Sequence, residues 1–176
     1  MTRALVAFAL PVLLLTPIAA PIGHASFEFA QGRQGRQQDP FNGTWKLDVA
    51  KSKMQPATAS KSEIIHYRVS GDEEDFLSEA VTAEGRAESI KYTAHEGKAS
   101  PFTITVDGKV TNPGAMTTVK KIDERTRERY NVRDGKPVLA SRRVVSPDGK
   151  TMTITIVRMD GGREIVNEVR ILEKQP

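Results

Sequence analysis

Short segments rich in Val, Ile, Thr and Tyr recur along this chain at about every 8–14 residues, punctuated from Gly71 onward by the glycine-containing turns "SGDEED", "AEGRA", "HEGKA", "VDGK", "RDGK", "SPDGK" and "MDGG". No other feature limits the fold as strongly. The stretches between them are too short for helices of ordinary length and are rich in Val, Ile, Thr and Tyr, whose branched or aromatic side chains suit a pleated surface. Asp-Gly pairs favour two-residue hairpins, because a type I′ turn needs positive φ at both central positions. Strands adjacent in sequence are therefore expected to be antiparallel neighbours in space.

The segments expected as strands are 44–49, 63–70, 76–83, 87–94, 102–106, 116–122, 127–132, 138–146, 151–159 and 164–172, roughly ten in all. Between the first two, "DVAKSKMQPATASKS" is long enough for a helical turn, but Pro56 and its Ser and Thr content favour a loop. A twisted open sheet of this length leaves two edges ready to aggregate, and the short connections leave no room for Greek-key crossovers. The fold class expected is all-β, an up-and-down antiparallel barrel of about ten strands.

Ahead of the strands, "MTRALVAFALPVLLLTPIAAPIGHAS" has one early Arg, an apolar run from Ala4 to Leu15 and small residues after it. This is the pattern of a secretory signal peptide, residues 1–25, with cleavage expected after Ala25. Pro11 and Pro17 interrupt a run shorter than the roughly 20 residues that span a membrane, so stable membrane insertion is not expected. Residues 26–40, with "FEFAQGRQGRQQD", read as a flexible polar leader, and 41–176 as a single barrel domain. The chain contains no Cys, so no disulfide, lipid-anchoring thiol or thiolate ligand is available to it. A secreted or periplasmic protein without disulfides depends on its core for stability. Loss of the leader peptide removes Arg3 and leaves 25 basic against 22 acidic residues, a net +3 that falls short of the concentrated basic face of a nucleic-acid binder.

Strand faces supply the candidate site. In "TMTITIVRM", Met152, Ile154 and Ile156 share one face and three threonines the other, so the Met/Ile face is expected inside, with Arg158 continuing that row to the rim. In "VLASRRVVS" one of Arg142 and Arg143 must point inward, either toward a ligand carboxylate or phosphate or toward an internal Glu. In the last strand Glu168 and Arg170 share a face and can neutralise each other, since an unpaired interior charge is costly. Gly43 and Trp45, in "GTWKL", hold the chain's one tryptophan at the start of the first strand.

The two ends of the domain resemble the calycins, the superfamily of lipocalins and intracellular fatty-acid-binding proteins, whose Gly-x-Trp motif opens the first strand. The resemblance rests on Gly43 and Trp45 in "GTWKL" and on "VRILEK" at the end. It implies that Trp45 plugs the barrel floor beneath a basic side chain from a late strand. "RILEK" is similar to the final strand of fatty-acid-binding proteins at Arg170, Glu173 and Lys174, with Leu172 where their Tyr stands. Their two-helix lid has no counterpart of sufficient length in "AKSKMQPATASKS". Most of the chain from Phe41 also resembles secreted bacterial lipocalin-like proteins of unassigned function, through "GTWKLDVAKSKM" and "SRRVVSPDGKTMT".

Motifs of catalysis are sparse. A nucleophile elbow, a phosphate loop, a dinucleotide fingerprint and a His-Glu-x-x-His zinc motif are absent. His66 and His95 stand on different strands, "GDEED" lacks the ligand spacing of a calcium loop, and no metal or cofactor is expected. In "KKIDERTRERY" Arg125, Arg127 and Arg129 alternate against Glu124 and Glu128, as a polar outer face or an anionic-surface patch would. The expected function is binding of a small hydrophobic or amphipathic ligand inside the barrel, with Arg142 or Arg143, Arg158 and Arg170 as polar contacts and Met152, Ile154 and Ile156 as lining. Nucleic acid is not an expected partner, and a protein partner is undefined. The alternatives are a barrel isomerase or cyclase using Tyr67, Tyr92 or His66, and a protein-interaction or inhibitor module without an internal ligand.

Overall fold

A computed structural model describes residues 38–133, 135–160 and 163–176. The expected signal peptide and residues 26–37 of the leader lie outside the described residues. The strands are β1 (Gly43–Lys53), β2 (Ser60–Ser70), β3 (Glu73–Thr82), β4 (Ala87–His95), β5 (Ser100–Val106), β6 (Lys109–Val110), β7 (Met116–Asp123), β8 (Thr126–Arg133), β9 (Lys136–Val145), β10 (Thr151–Asp160) and β11 (Arg163–Lys174). Ten coincide with the expected segments. The addition is β6, whose two residues are too few to carry a period.

The strands pair as an antiparallel meander, and β1 returns to pair with β11, so the sheet closes into a barrel. Closure is thinnest between β5 and β7, which share only the pairs Ser100↔Thr117 and Pro101↔Met116. Beyond them β5 turns back on β6, and Asn112 covers the freed edge: Ile104 N donates to its Oδ1 at 2.6 Å and its Nδ2 donates to Phe102 O at 3.1 Å. Backbone groups that would otherwise face an open edge are thus satisfied. The β5–β6 turn carries positive φ at both Asp107 (+47°) and Gly108 (+76°), the paired condition of a type I′ hairpin. In "SPDGK" only Gly149 is left-handed, and Ser146 N donates to Thr151 O at 2.8 Å, so this Asp-Gly closes a longer loop.

One end of the barrel, where β1 begins and β11 finishes, is plugged. Phe41, Trp45, Ile65, Met152 and Leu172 are fully buried there, and Trp45 Nε1 donates to Phe41 O at 2.8 Å. Lys174 Nζ sits 5.0 Å from the Trp45 ring centroid and donates to Pro40 O at 3.2 Å. Asp39, read from sequence as leader, is part of this base: its Oδ2 accepts from Arg127 Nη2 at 2.8 Å and its Oδ1 from Phe41 N at 3.0 Å. The opposite end is the mouth, where the β1–β2 connection lies.

Candidate functional site

The interior changes character along its axis. On β10, exposure rises from Met152 at 0% through Ile154 at 6% to a half-buried Ile156; on β4 it rises from Ala94 and Tyr92 to a half-buried Ile90, and on β5 from Phe102 to Ile104. These residues all face inward, so the covering of the inner wall thins from a packed floor toward the mouth.

Charged groups line both zones. Above the floor, Arg143 is 2% exposed, and its Nη1 donates at 3.0 Å to both Glu74 Oε1 and the Tyr67 oxygen. Its guanidinium also lies 4.7 Å from the Phe76 ring centroid, a cation–π contact in a desolvated setting. Tyr92 donates to Glu74 Oε1 at 2.6 Å, and Arg127 Nη1 lies 3.8 Å from Glu74 Oε2. Burial pushes the Tyr67 and Tyr92 phenols well above the usual tyrosine range, with the Glu74 charge adding to the effect. Both are therefore hydrogen-bond donors at neutral pH.

Nearer the mouth, Arg170 donates to Glu63 Oε2 at 2.8 Å from Nη1, to Glu168 Oε2 at 3.1 Å from Nε, and to Thr58 O at 3.2 Å from Nη2. Ser78 Oγ donates to Glu63 at 2.6 Å. Glu88 sits in register with Ala80 and Glu63 on this wall, and burial raises its carboxyl above the ordinary range, helped by the Glu63 and Glu168 charges against the pull of Arg170. The Thr58 hydroxyl donates to Glu168, and Gln55 Nε2 donates to Asn167 O at 3.3 Å, so residues 54–59 are tied across the mouth to β11.

The residues singled out in the sequence fall as follows. Arg143 is the inward member of its pair. Arg142 is on the outer face, 48% exposed and paired with Glu128, and contacts no interior ligand space. Arg158 is exposed, at the mouth end of β10. Arg170 is committed to two glutamates, and Met152, Ile154 and Ile156 face inward. Gly43 and Trp45 form the plug. The expectation that Arg127 and Arg129 lie outside is corrected: Arg127 pairs in register with Arg143 and bonds Asp39, and Arg129 lies 5.2 Å from the inward Phe102 ring centroid. Arg125 alone of the three is at the surface, in the β7–β8 turn. Alternation identified a shared face but not which side it took, and no sequence signal marked Glu74 as the interior acid that would draw arginines in.

His66 and His95 point outward, toward Glu79 and toward Asp72 and Glu73. Among the described residues, no group of three or more His, Asp or Glu side chains could hold a metal ion. A concavity of about 840 Å³ at the plugged end is bordered by Arg68, Asp75 and Thr93, which already satisfy one another.

No family model matches the chain, and no curated protein matches it. Among solved structures it is similar to a Schistosoma mansoni fatty acid binding protein in complex with arachidonic acid, at 18% identity and a TM-score of 0.53, over 79% of this chain and 98% of that one. At that identity the likeness shows the fold alone, which is calycin-like: a closed antiparallel barrel of ten long strands.

Proposed function

We propose that this protein is an exported, lipocalin-like carrier that holds one small apolar or amphipathic molecule inside its barrel. The observation that carries the proposal is the axial gradient: a floor packed to exclusion below Ile90, Ile104 and Ile156, which stay partly accessible although they face inward. A barrel built only as a rigid scaffold gains by burying these side chains, each worth about 1.5–3 kcal/mol when fully covered. The fatty acid binding protein to which the chain is similar was solved with arachidonic acid, which supports a lipid-like occupant here. Export rests on the leader sequence.

The barrel-enzyme alternative loses support from the geometry. His66 is on the outer face, and Tyr67 and Tyr92 are locked as phenols among Glu74 and Arg143, poorly suited to accept a proton.

Isothermal titration of the mature protein with oleate tests the proposal. Saturable one-to-one binding with a negative heat-capacity change is the expected result. Heats no larger than those of dilution would overturn it.

A further inference from the structure

Resting on the reading of the interior as a binding site, we infer that residues 54–59 form a latched strap over the mouth whose hold is set by the charge on Glu88. A neutral Glu88 leaves the strap fastened, and an ionised Glu88 loosens it.

The strap is short and spans the opening. At one end Gln55 bonds Asn167 O on β11; at the other, Ala83 N in the β3–β4 turn donates to Ala59 O at 2.8 Å. Between them Thr58 N closes a turn on Gln55 O at 3.0 Å, and Met54 packs, partly buried, against the core cluster. The segment "MQPATA" carries no charged side chain, and Pro56 has no amide hydrogen to donate, so few bonds within the strap hold it in place. Its middle is fixed from below, by the Thr58 hydroxyl on Glu168 and by Arg170 Nη2 on Thr58 O at 3.2 Å.

Both fastening groups belong to one cluster in which carboxylates outnumber cations. Arg170 bridges the buried Glu63 and Glu168, at 2.8 and 3.0 Å. These two acids already exceed the single guanidinium by one charge, and the Ser78 and Thr58 hydroxyls supply further hydrogen bonds to them. Glu88 is the third acid. It faces inward from β4 beside Ala80 on β3 and Val106 on β5, neither of which titrates, and among the described residues its carboxyl makes no hydrogen bond or ion pair. The charges that act on it are Glu63 from β2 and Glu168 and Arg170 from β11. At the nearby rim Arg86 and Asp107 close on each other at 2.8 Å.

With Glu88 ionised, three carboxylates share one guanidinium in a partly desolvated setting. Glu63 and Glu168 are repelled, and Arg170 is drawn from Thr58 toward the added charge, so the two contacts that hold the strap weaken together. With Glu88 neutral, the Arg170 fork stays on Glu63, Glu168 and Thr58. Burial, helped by the Glu63 and Glu168 charges against the pull of Arg170, raises the Glu88 carboxyl above the ordinary range, so it ionises at a higher pH than exposed glutamates do. The folded protein therefore holds this proton more tightly than the unfolded chain, and the fastened strap is favoured in mild acid and loses that advantage as pH rises through the raised value. An interior occupant is retained under the first condition and exchanged more readily under the second.

Amide hydrogen exchange of the ligand-free protein tests the latch, followed by mass spectrometry on peptides covering residues 54–59 and corrected for the intrinsic exchange rate at each pH. In the wild type, exchange of the strap is expected to quicken about 2- to 10-fold between about pH 5 and about pH 8. Glu88→Gln keeps the shape of the side chain and removes its charge, and is expected to exchange slowly at both; the outer-face control Glu79→Gln is expected to follow the wild type. Thr58→Val removes the hydroxyl bound to Glu168, and is expected to exchange at the lower pH as fast as the wild type does at the higher. Wild-type exchange independent of pH, full pH dependence surviving in Glu88→Gln, or slow exchange of Thr58→Val at the lower pH would overturn the latch. These readings need no ligand, so a failed latch leaves the oleate titration standing. Heats of dilution alone in that titration, with the strap behaving as expected, would overturn interior binding and not the latch.

Discussion

Gly43 holds φ at +130°, and a Cβ built on it would meet Lys174 Cε at 3.0 Å. Only glycine combines that backbone with a lysine stem laid against Trp45, so the first and last residues of the barrel constrain each other. Gly43→Ala is expected to cost about 1–3 kcal/mol through backbone strain and displacement of Lys174. Gly97→Ala, at φ +72° with open space around its Cβ, incurs only the milder cost of the left-handed region, so its urea midpoint should fall less than that of Gly43→Ala. The interior tyrosines give a second residue-scale expectation. Their folded pKa values are raised, so the stability they contribute is complete below the unfolded value of about 10 and falls as pH rises through that value toward the folded one. Unfolding titrations between pH 9 and 12 should show stability dropping by up to about 1.4 kcal/mol per pH unit for each phenol, and Tyr67→Phe should shallow that slope. A slope unchanged in Tyr67→Phe would contradict the burial of its hydroxyl.

At the scale of elements, period-two alternation and Asp-Gly turns made all ten long strands legible. "TMTITIVRM" also revealed its inward face, because Met and Ile oppose threonines there. "VLASRRVVS" and "RTRERY" hid theirs, since an interior lined with arginine and glutamate defeats the assumption that charge faces water. A register shift between Arg129 and Tyr130, opposite Ala140, further breaks the alternation of β9, so Ser141 and Arg143 share the inside face but residues before Ala140 do not follow the same count. The β1–β2 connection was readable as a loop from Pro56, but its attachment to β11 was not, because it depends on a contact between Thr58 and Glu168 that are distant in sequence. Arg170→Met should loosen this connection by removing its bond to Thr58 O and unbalancing Glu168. Trypsin cleavage after Lys53 or Lys61 should then accelerate relative to the wild type under native conditions; an unchanged rate would mean that the Arg170 cluster does not hold the connection.

For the molecule as a whole, stability rests on the packed floor. Without Cys, the chain relies on a cluster running from Phe41 and Trp45 through Tyr67, Phe76 and Tyr92 to Met152 and Leu172. That cluster fills one end of the barrel, while the other retains partly accessible apolar walls. The proposed interior binding rests on this asymmetry, and native mass spectrometry tests it most directly. The protein is purified without detergent, incubated with excess oleate and exchanged into volatile buffer. A single species heavier than the mature chain by one oleate, or by one native molecule that oleate fails to displace, is the expected result. A bare mass at every oleate concentration, or a ladder of adducts without a preferred stoichiometry, would contradict an interior binding site.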